Sequence, residues 1–123
     1  MANIAGIGAL VIYANEPITL ADWYTNKFGF AFQRNPKDNC HYGELRDTST
    51  GATIFLGIYP AKQQLPQGNR AVMINYKLVN FDSFVAKLEK SGVKIESRRA
   101  DGASKFATIS DPEGNPIELW SGV

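Results

Sequence analysis

Asp111-Pro112-Glu113-Gly114-Asn115-Pro116-Ile117-Glu118-Leu119-Trp120 decides how this chain folds. Asp111, Pro112, Gly114 and Asn115 supply turn chemistry: a fixed φ, side chain-to-backbone bonds and tolerance of positive φ. From Pro116 onward the residues alternate, which puts Ile117 and Leu119 on one face of a strand and Glu118 and Trp120 on the other. One acid thus shares a face with an aromatic ring, opposite a face made for a core.

Working back from this turn, residues 105–110 read as the partner strand, and 93–97 as a short strand before it. Asn80 caps a helix with Phe81, Phe84, Val85 and Leu88 on one side and Gly92 at its end. Residues 71–78 read as a strand. The first half has the same order: a strand at 4–14, a helix from Thr19 to Phe28 ended by Gly29, and strands near 30–34, 41–47 and 52–58. Asp47 and Asp111 open corresponding turns 64 residues apart, and Gly29 and Gly92 close corresponding helices 63 apart. That near-constant offset is the mark of an internal repeat. Tyr59 through Asn69 lacks periodicity and reads as a crossover loop.

The expected architecture is therefore α+β: one domain over 1–123 built from two βαβββ modules, at about 4–59 and 70–122. Helices cover one face of a curved mixed sheet, leaving the other to line a cup-shaped cavity. With its terminal hairpin and the stretch Met73-Ile74-Asn75-Tyr76-Lys77 before the second helix, the chain resembles the vicinal-oxygen-chelate superfamily. That superfamily includes glyoxalase I, bleomycin-resistance proteins and extradiol dioxygenases, and the resemblance extends to a small glyoxalase-like bacterial subgroup.

The resemblance implies four metal ligands, one from the first and one from the last strand of each module. Carried over residue by residue, those places are Ala9, Ile54, Met73 and Glu118. A divalent transition ion wants several nitrogen or oxygen donors, and only Glu118 is one. The sole histidine, His41, falls on the strand face opposite to Glu44. No metal and no other cofactor is expected.

Strand parity sets the rest of the cup. Module one would contribute Val11, Tyr13, Tyr42, Glu44, Arg46, Ile54 and Leu56; module two Met73, Asn75, Lys77, Phe106, Thr108, Ser110, Glu118 and Trp120. From these, Glu118 and Glu44 are the candidate catalytic groups, as carboxylates that could approach and shift each other's proton affinity. Arg46 and Lys77 are their candidate neutralising partners. Tyr13, Tyr42, Arg46, Met73, Asn75, Lys77, Phe106, Thr108 and Trp120 are the candidate ligand contacts, a mostly apolar and aromatic lining with a few convergent polar groups.

Composition narrows the partners. With 44% hydrophobic residues in 123, the chain can bury one substantial core. A net charge of +1 without basic clusters disfavours nucleic acid, and Arg98-Arg99, the only basic doublet, reads as a solvated loop. No run approaches a membrane span, and the start lacks a basic secretory leader. The lone Cys40 favours a reducing compartment, so a cytoplasmic location is expected, and nothing suggests an activated thiolate. The resemblance implies a homodimer. The leading expectation is a small organic ligand held in the cup without metal; a neutral or anionic aromatic, or a small carboxylate, suits the charge. The alternatives are a metal-independent isomerase or lyase using Glu118 or Glu44 as general base, and a non-catalytic interaction module.

Overall fold

The computed structural model describes residues 2–68 and 71–123, which divide into two compact units, Met1–Leu65 and Pro66–Val123. The fold is α+β, with one four-stranded mixed sheet and one main helix in each unit. The loop end expected at Asn69 and the module start expected at 70 lie outside the described residues. No helix among the described residues is long and apolar enough to cross a membrane.

Unit one runs β1 (Ala9–Ala14), α1 (Pro17–Phe28), β2 (Phe32–Asn35), β3 (Cys40–Arg46) and β4 (Thr53–Pro60). Its sheet order is β1-β4-β3-β2, with β1 parallel to β4 and the other pairs antiparallel. A parallel pair needs a crossover, and α1 supplies the start of it. Leu20, Ala21 and Tyr24 of α1 are buried, as are Ile12, Leu56 and Ile58 on the covered sheet face. Trp23, Tyr24, Phe28 and Phe30 pack as a chain of edge and stacked ring contacts. Burying one such side chain contributes about 1.5–3 kcal/mol. Leu56, with no exposed surface, is the position where truncation to Ala opens a cavity, at about 2–5 kcal/mol.

Unit two repeats the topology with β5 (Ile74–Lys77), α2 (Phe81–Lys90), β6 (Ser97–Asp101), β7 (Ser104–Ser110) and β8 (Pro116–Trp120), ordered β5-β8-β7-β6. Val85 and Leu88 of α2 are buried, and Ala107, Ile109, Ile117 and Leu119 form the covered sheet face. Two surface ion pairs tie α2 to that side of the sheet: Lys105 Nζ to Asp82 Oδ2 at 2.8 Å and Arg98 Nη2 to Glu89 Oε1 at 2.5 Å. The decisive turn forms as its residues dictate. Asp111 Oδ1 accepts the backbone N–H groups of Glu113 and Asn115, Oδ2 accepts the Asn115 amide, and Gly114 takes φ 82°.

Three boundaries and one cap depart from the sequence expectation for local reasons. α1 starts at Pro17 because proline is preorganised for the first helical position; Thr19 is already inside the helix, and the N-cap place belongs to Glu16. Asn80 takes the N-cap place of α2 with φ 58°, but its side chain makes no capping bond. β1 begins at Ala9, since Gly6 and Gly8 leave the preceding stretch little to bury. The strand expected at 93–97 instead spans Ser97–Asp101. The two-residue turn Gly102-Ala103 sets Asp101 opposite Ser104, and this fixes every pair upstream. Arg98 and Arg99 therefore lie in β6, not in a loop.

Candidate functional site

On unit two, cross-strand register gathers the helix-free face into two rows. One reads Ser97–Thr108–Glu118–Asn75 and the next Arg99–Phe106–Trp120–Lys77, across β6, β7, β8 and β5. The first row carries hydroxyl, carboxylate and amide; the second has two aromatic rings with a cation on either side. Directly opposed side chains in a sheet lie about 4.5–5.5 Å apart at Cβ, so each row is a line of contacts.

Glu118 is the centre of the polar row. Its Oε1 accepts a hydrogen bond from Asn75 Nδ2 at 2.8 Å, and its Oε2 lies 3.8 Å from Arg99 Nη2. The Arg99 guanidinium in turn lies over the Phe106 ring, 4.0 Å from its centroid, a cation–π arrangement. Trp120 donates its indole N–H to the Val123 carbonyl at 3.2 Å, which leaves the ring face as its means of contact. Arg99, absent from the expected site, is the basic neighbour of Glu118; the expectation had assigned that role to Arg46 and Lys77. The signal was present in Gly102-Ala103, a two-residue turn with glycine at its first central position (φ 61°), which places Arg99 opposite Phe106.

On unit one, the helix-free face carries Val11, Tyr13, Tyr42, Glu44, Arg46, Phe55 and Tyr59. Tyr59 makes edge contacts with Tyr13 and Tyr42, at centroid distances of 6.1 and 5.7 Å. The placement of Ile54 and Leu56 here is corrected. Glu44 pairs with Phe55 and Leu45 with Ile54, so Ile54 and Leu56 belong to the face under α1, and Phe55 takes the exposed position. A one-residue register slip moves a whole strand's side chains to the other face. The Tyr42 phenol is pushed up to about 12, first by desolvation and then by its Cys40 and Tyr59 neighbours. Cys40 is also pushed up, chiefly by desolvation and then by Asp38, which keeps it a thiol. His41 is buried on the covered face opposite Ile58, its Nδ1 without a hydrogen-bond partner among the described residues.

The structure places the candidate catalytic acids in different units, Glu44 on β3 and Glu118 on β8. Glu118, Asn75, Lys77, Phe106, Thr108 and Trp120 share the unit-two face, while Tyr13, Tyr42, Glu44 and Arg46 share the unit-one face. Met73 precedes β5 and is about half exposed (48%).

The metal that the sequence resemblance implies can be tested against these registers. On the helix-free face the first strand opposes the last at Ala9–Phe55 in unit one and at Asn75–Glu118 in unit two, among other pairs. Of the places carried over, Ile54 lies on the face under α1 with Phe55 in the open position, and the residue opposite Glu118 is Asn75 rather than Met73. The donor set is then one carboxylate and one amide, with hydrocarbon at Ala9 and Phe55. Among the described residues no group of three or more His, Cys, Asp or Glu side chains gathers that could hold a metal ion. Such a set does not fit a four-donor transition ion.

Comparison with known proteins agrees with this architecture. A family model described as Glyoxalase/Bleomycin resistance protein/Dioxygenase superfamily matches residues 6–119. The protein YaeR of Escherichia coli (strain K12) is 25% identical over 132 residues, covering 98% of both chains. A glyoxalase-family protein of Bacillus anthracis superposes with TM-score 0.74 at 19% identity, over 98% of this chain and 97% of that one. A lactoylglutathione lyase of Agrobacterium tumefaciens gives TM-score 0.68 at 15% identity, over 97% and 95%. At these identities the structural likeness speaks to the fold alone.

Proposed function

This chain belongs to the Glyoxalase/Bleomycin resistance protein/Dioxygenase superfamily, and from that premise we propose that it binds a small organic molecule on the helix-free face of unit two, without the superfamily's transition metal. The observation that carries this reading is the environment of Glu118. The carboxylate at the superfamily's ligand place is bonded to an amide and faces a guanidinium stacked on a ring. Those neighbours suit a carboxylate that orders a polar row, and beyond the Asn75 amide oxygen they supply no donor for a transition ion. Beside it, Trp120 offers flat apolar surface for stacking, next to the Phe106 ring that carries Arg99. The lyase chemistry in the Agrobacterium neighbour's name does not transfer on fold alone.

Two thermal-shift experiments test the proposal. A screen with Mg²⁺, Ni²⁺, Zn²⁺ and Fe²⁺ is expected to give no saturable stabilisation; a large one lost in Glu118→Gln would overturn the metal-free reading. A panel of small aromatic molecules is expected to include stabilising members whose effect is lost in Trp120→Ala. Stabilisation that survives that substitution unchanged would place binding elsewhere.

A further inference from the structure

We infer that the molecule bound on this face is a flat organic anion, an aryl carboxylate in chemical class, and that Arg99 is the residue that selects it. This rests on the ligand-binding reading above and specifies its chemistry.

The two arginines of β6 differ in what they have left to give. Arg98 points to the helix side and is held by Glu89 at 2.5 Å. Arg99 points to the helix-free face, stacks on Phe106 and donates no hydrogen bond to any described residue; its nearest carboxylate oxygen, at 3.8 Å, is beyond bonding distance. A guanidinium carries five N–H donors in a rigid fork that matches a carboxylate in two-point fashion. Here the guanidinium is seated on the Phe106 ring, so an incoming anion meets a donor set already positioned over this face.

The neighbours favour the same class. Arg99 ends the row whose middle is Phe106 and Trp120 and whose other end is Lys77. A flat body lying on Trp120 therefore has Arg99, seated on Phe106, to one side and Lys77 to the other, which favours an anionic substituent and repels a cationic one. Glu118 does not reverse this preference, because its one negative charge stands against the two positive charges of Arg99 and Lys77 on the same face. Ser97 and Thr108 in the adjoining row can donate hydroxyl hydrogens to a carboxylate oxygen.

Titration with three matched probes tests this: naphthalene carboxylate, the neutral naphthalene carboxamide and naphthylmethylammonium. Affinity is read by calorimetry and location by the NMR cross-peak of the Trp120 indole N–H. The carboxylate is expected to bind at least about tenfold tighter than the carboxamide, the gain of a charge-assisted bond, and the ammonium not to bind. Arg99→Gln should erase the carboxylate's advantage while leaving carboxamide binding unchanged, and Arg98→Gln should alter neither. Equal binding of carboxylate and carboxamide, or an advantage that survives Arg99→Gln, would overturn the anion assignment and leave the ligand-binding reading intact. Failure of all three probes to move the Trp120 signal would sink both.

Discussion

Asn75 and Glu118 lie directly opposite each other on the parallel strands β5 and β8, and the Asn75 amide donates to Glu118 Oε1 at 2.8 Å. The bond joins an edge strand to its neighbour on the face proposed to bind ligand. Asn75→Asp replaces the donor with a second carboxylate opposite the first. Like charges so placed are destabilising, at about 1 kcal/mol at neutral pH. The penalty should vanish once pH falls below about 4, where carboxylates protonate. Urea unfolding of Asn75→Asp and Asn75→Ala at both pH values checks this. Equal stability of the two variants at neutral pH would contradict it.

Gly114 is needed twice over. Its φ of 82° is unfavourable for any side chain, and a Cβ there would stand 2.3 Å from the Gly68 nitrogen and 2.6 Å from its Cα. The segment Gln67-Gly68 rests on this turn, with Gln67 Nε2 donating to the Pro112 carbonyl at 2.9 Å and Gly68 N–H to Glu113 at 3.4 Å. Gly114→Ala is expected to cost about 2–4 kcal/mol by summing left-handed strain and backbone overlap. Gly92→Ala, at φ 96° with open space around it, should cost only the strain, about 1–2 kcal/mol. Denaturant midpoints of the two variants separate the contributions.

These two turns show what could be read before the structure. The hairpin at 111–120, the two helices with their glycine ends and the repeat were legible because each rests on short-range chemistry. Register was less so. The longer connection from Asp47 to Ala52 does not declare which residues of β3 and β4 are opposed, and Ile54 read as readily into one face as the other. Arg99 was missed because Ser-Arg-Arg-Ala-Asp has little strand propensity. Its place depends on pairing with β7, which only the two-residue turn after Asp101 dictates. The division of Arg98 and Arg99 between opposite faces then follows from alternation alone.

Gly57 sits where strand propensity and sterics disagree. Replacing a strand glycine with alanine ordinarily stabilises by about 0.5–1 kcal/mol. Here a Cβ would fall 2.7 Å from Cε1 of Tyr59, whose ring contacts Tyr13 and Tyr42. Gly57→Ala should displace that ring, lower stability by about 1–2 kcal/mol and weaken the near-ultraviolet circular dichroism of the tyrosines. In a Tyr59→Ala background the same substitution should become neutral or stabilising. A cost that persists there would mean the ring is not the obstacle.

Tyr42 makes the fold sensitive to alkali. Desolvation first, and then its Cys40 and Tyr59 neighbours, push its phenol up to about 12 from an ordinary value of 10.0. Burial pushes the Tyr76 hydroxyl in the same direction, with Asp111 adding to it. A group whose folded pKa is raised binds its proton more tightly in the native state. Its contribution is therefore complete below pH 10 and lost as pH climbs from 10 toward 12. Denaturant unfolding should show stability falling through that window as tyrosinate absorbance rises. Tyr42→Phe should reduce the slope, and the further change Tyr76→Phe should reduce it again. An alkaline slope unaltered by Tyr42→Phe would show that the neutral phenol is not what the fold protects.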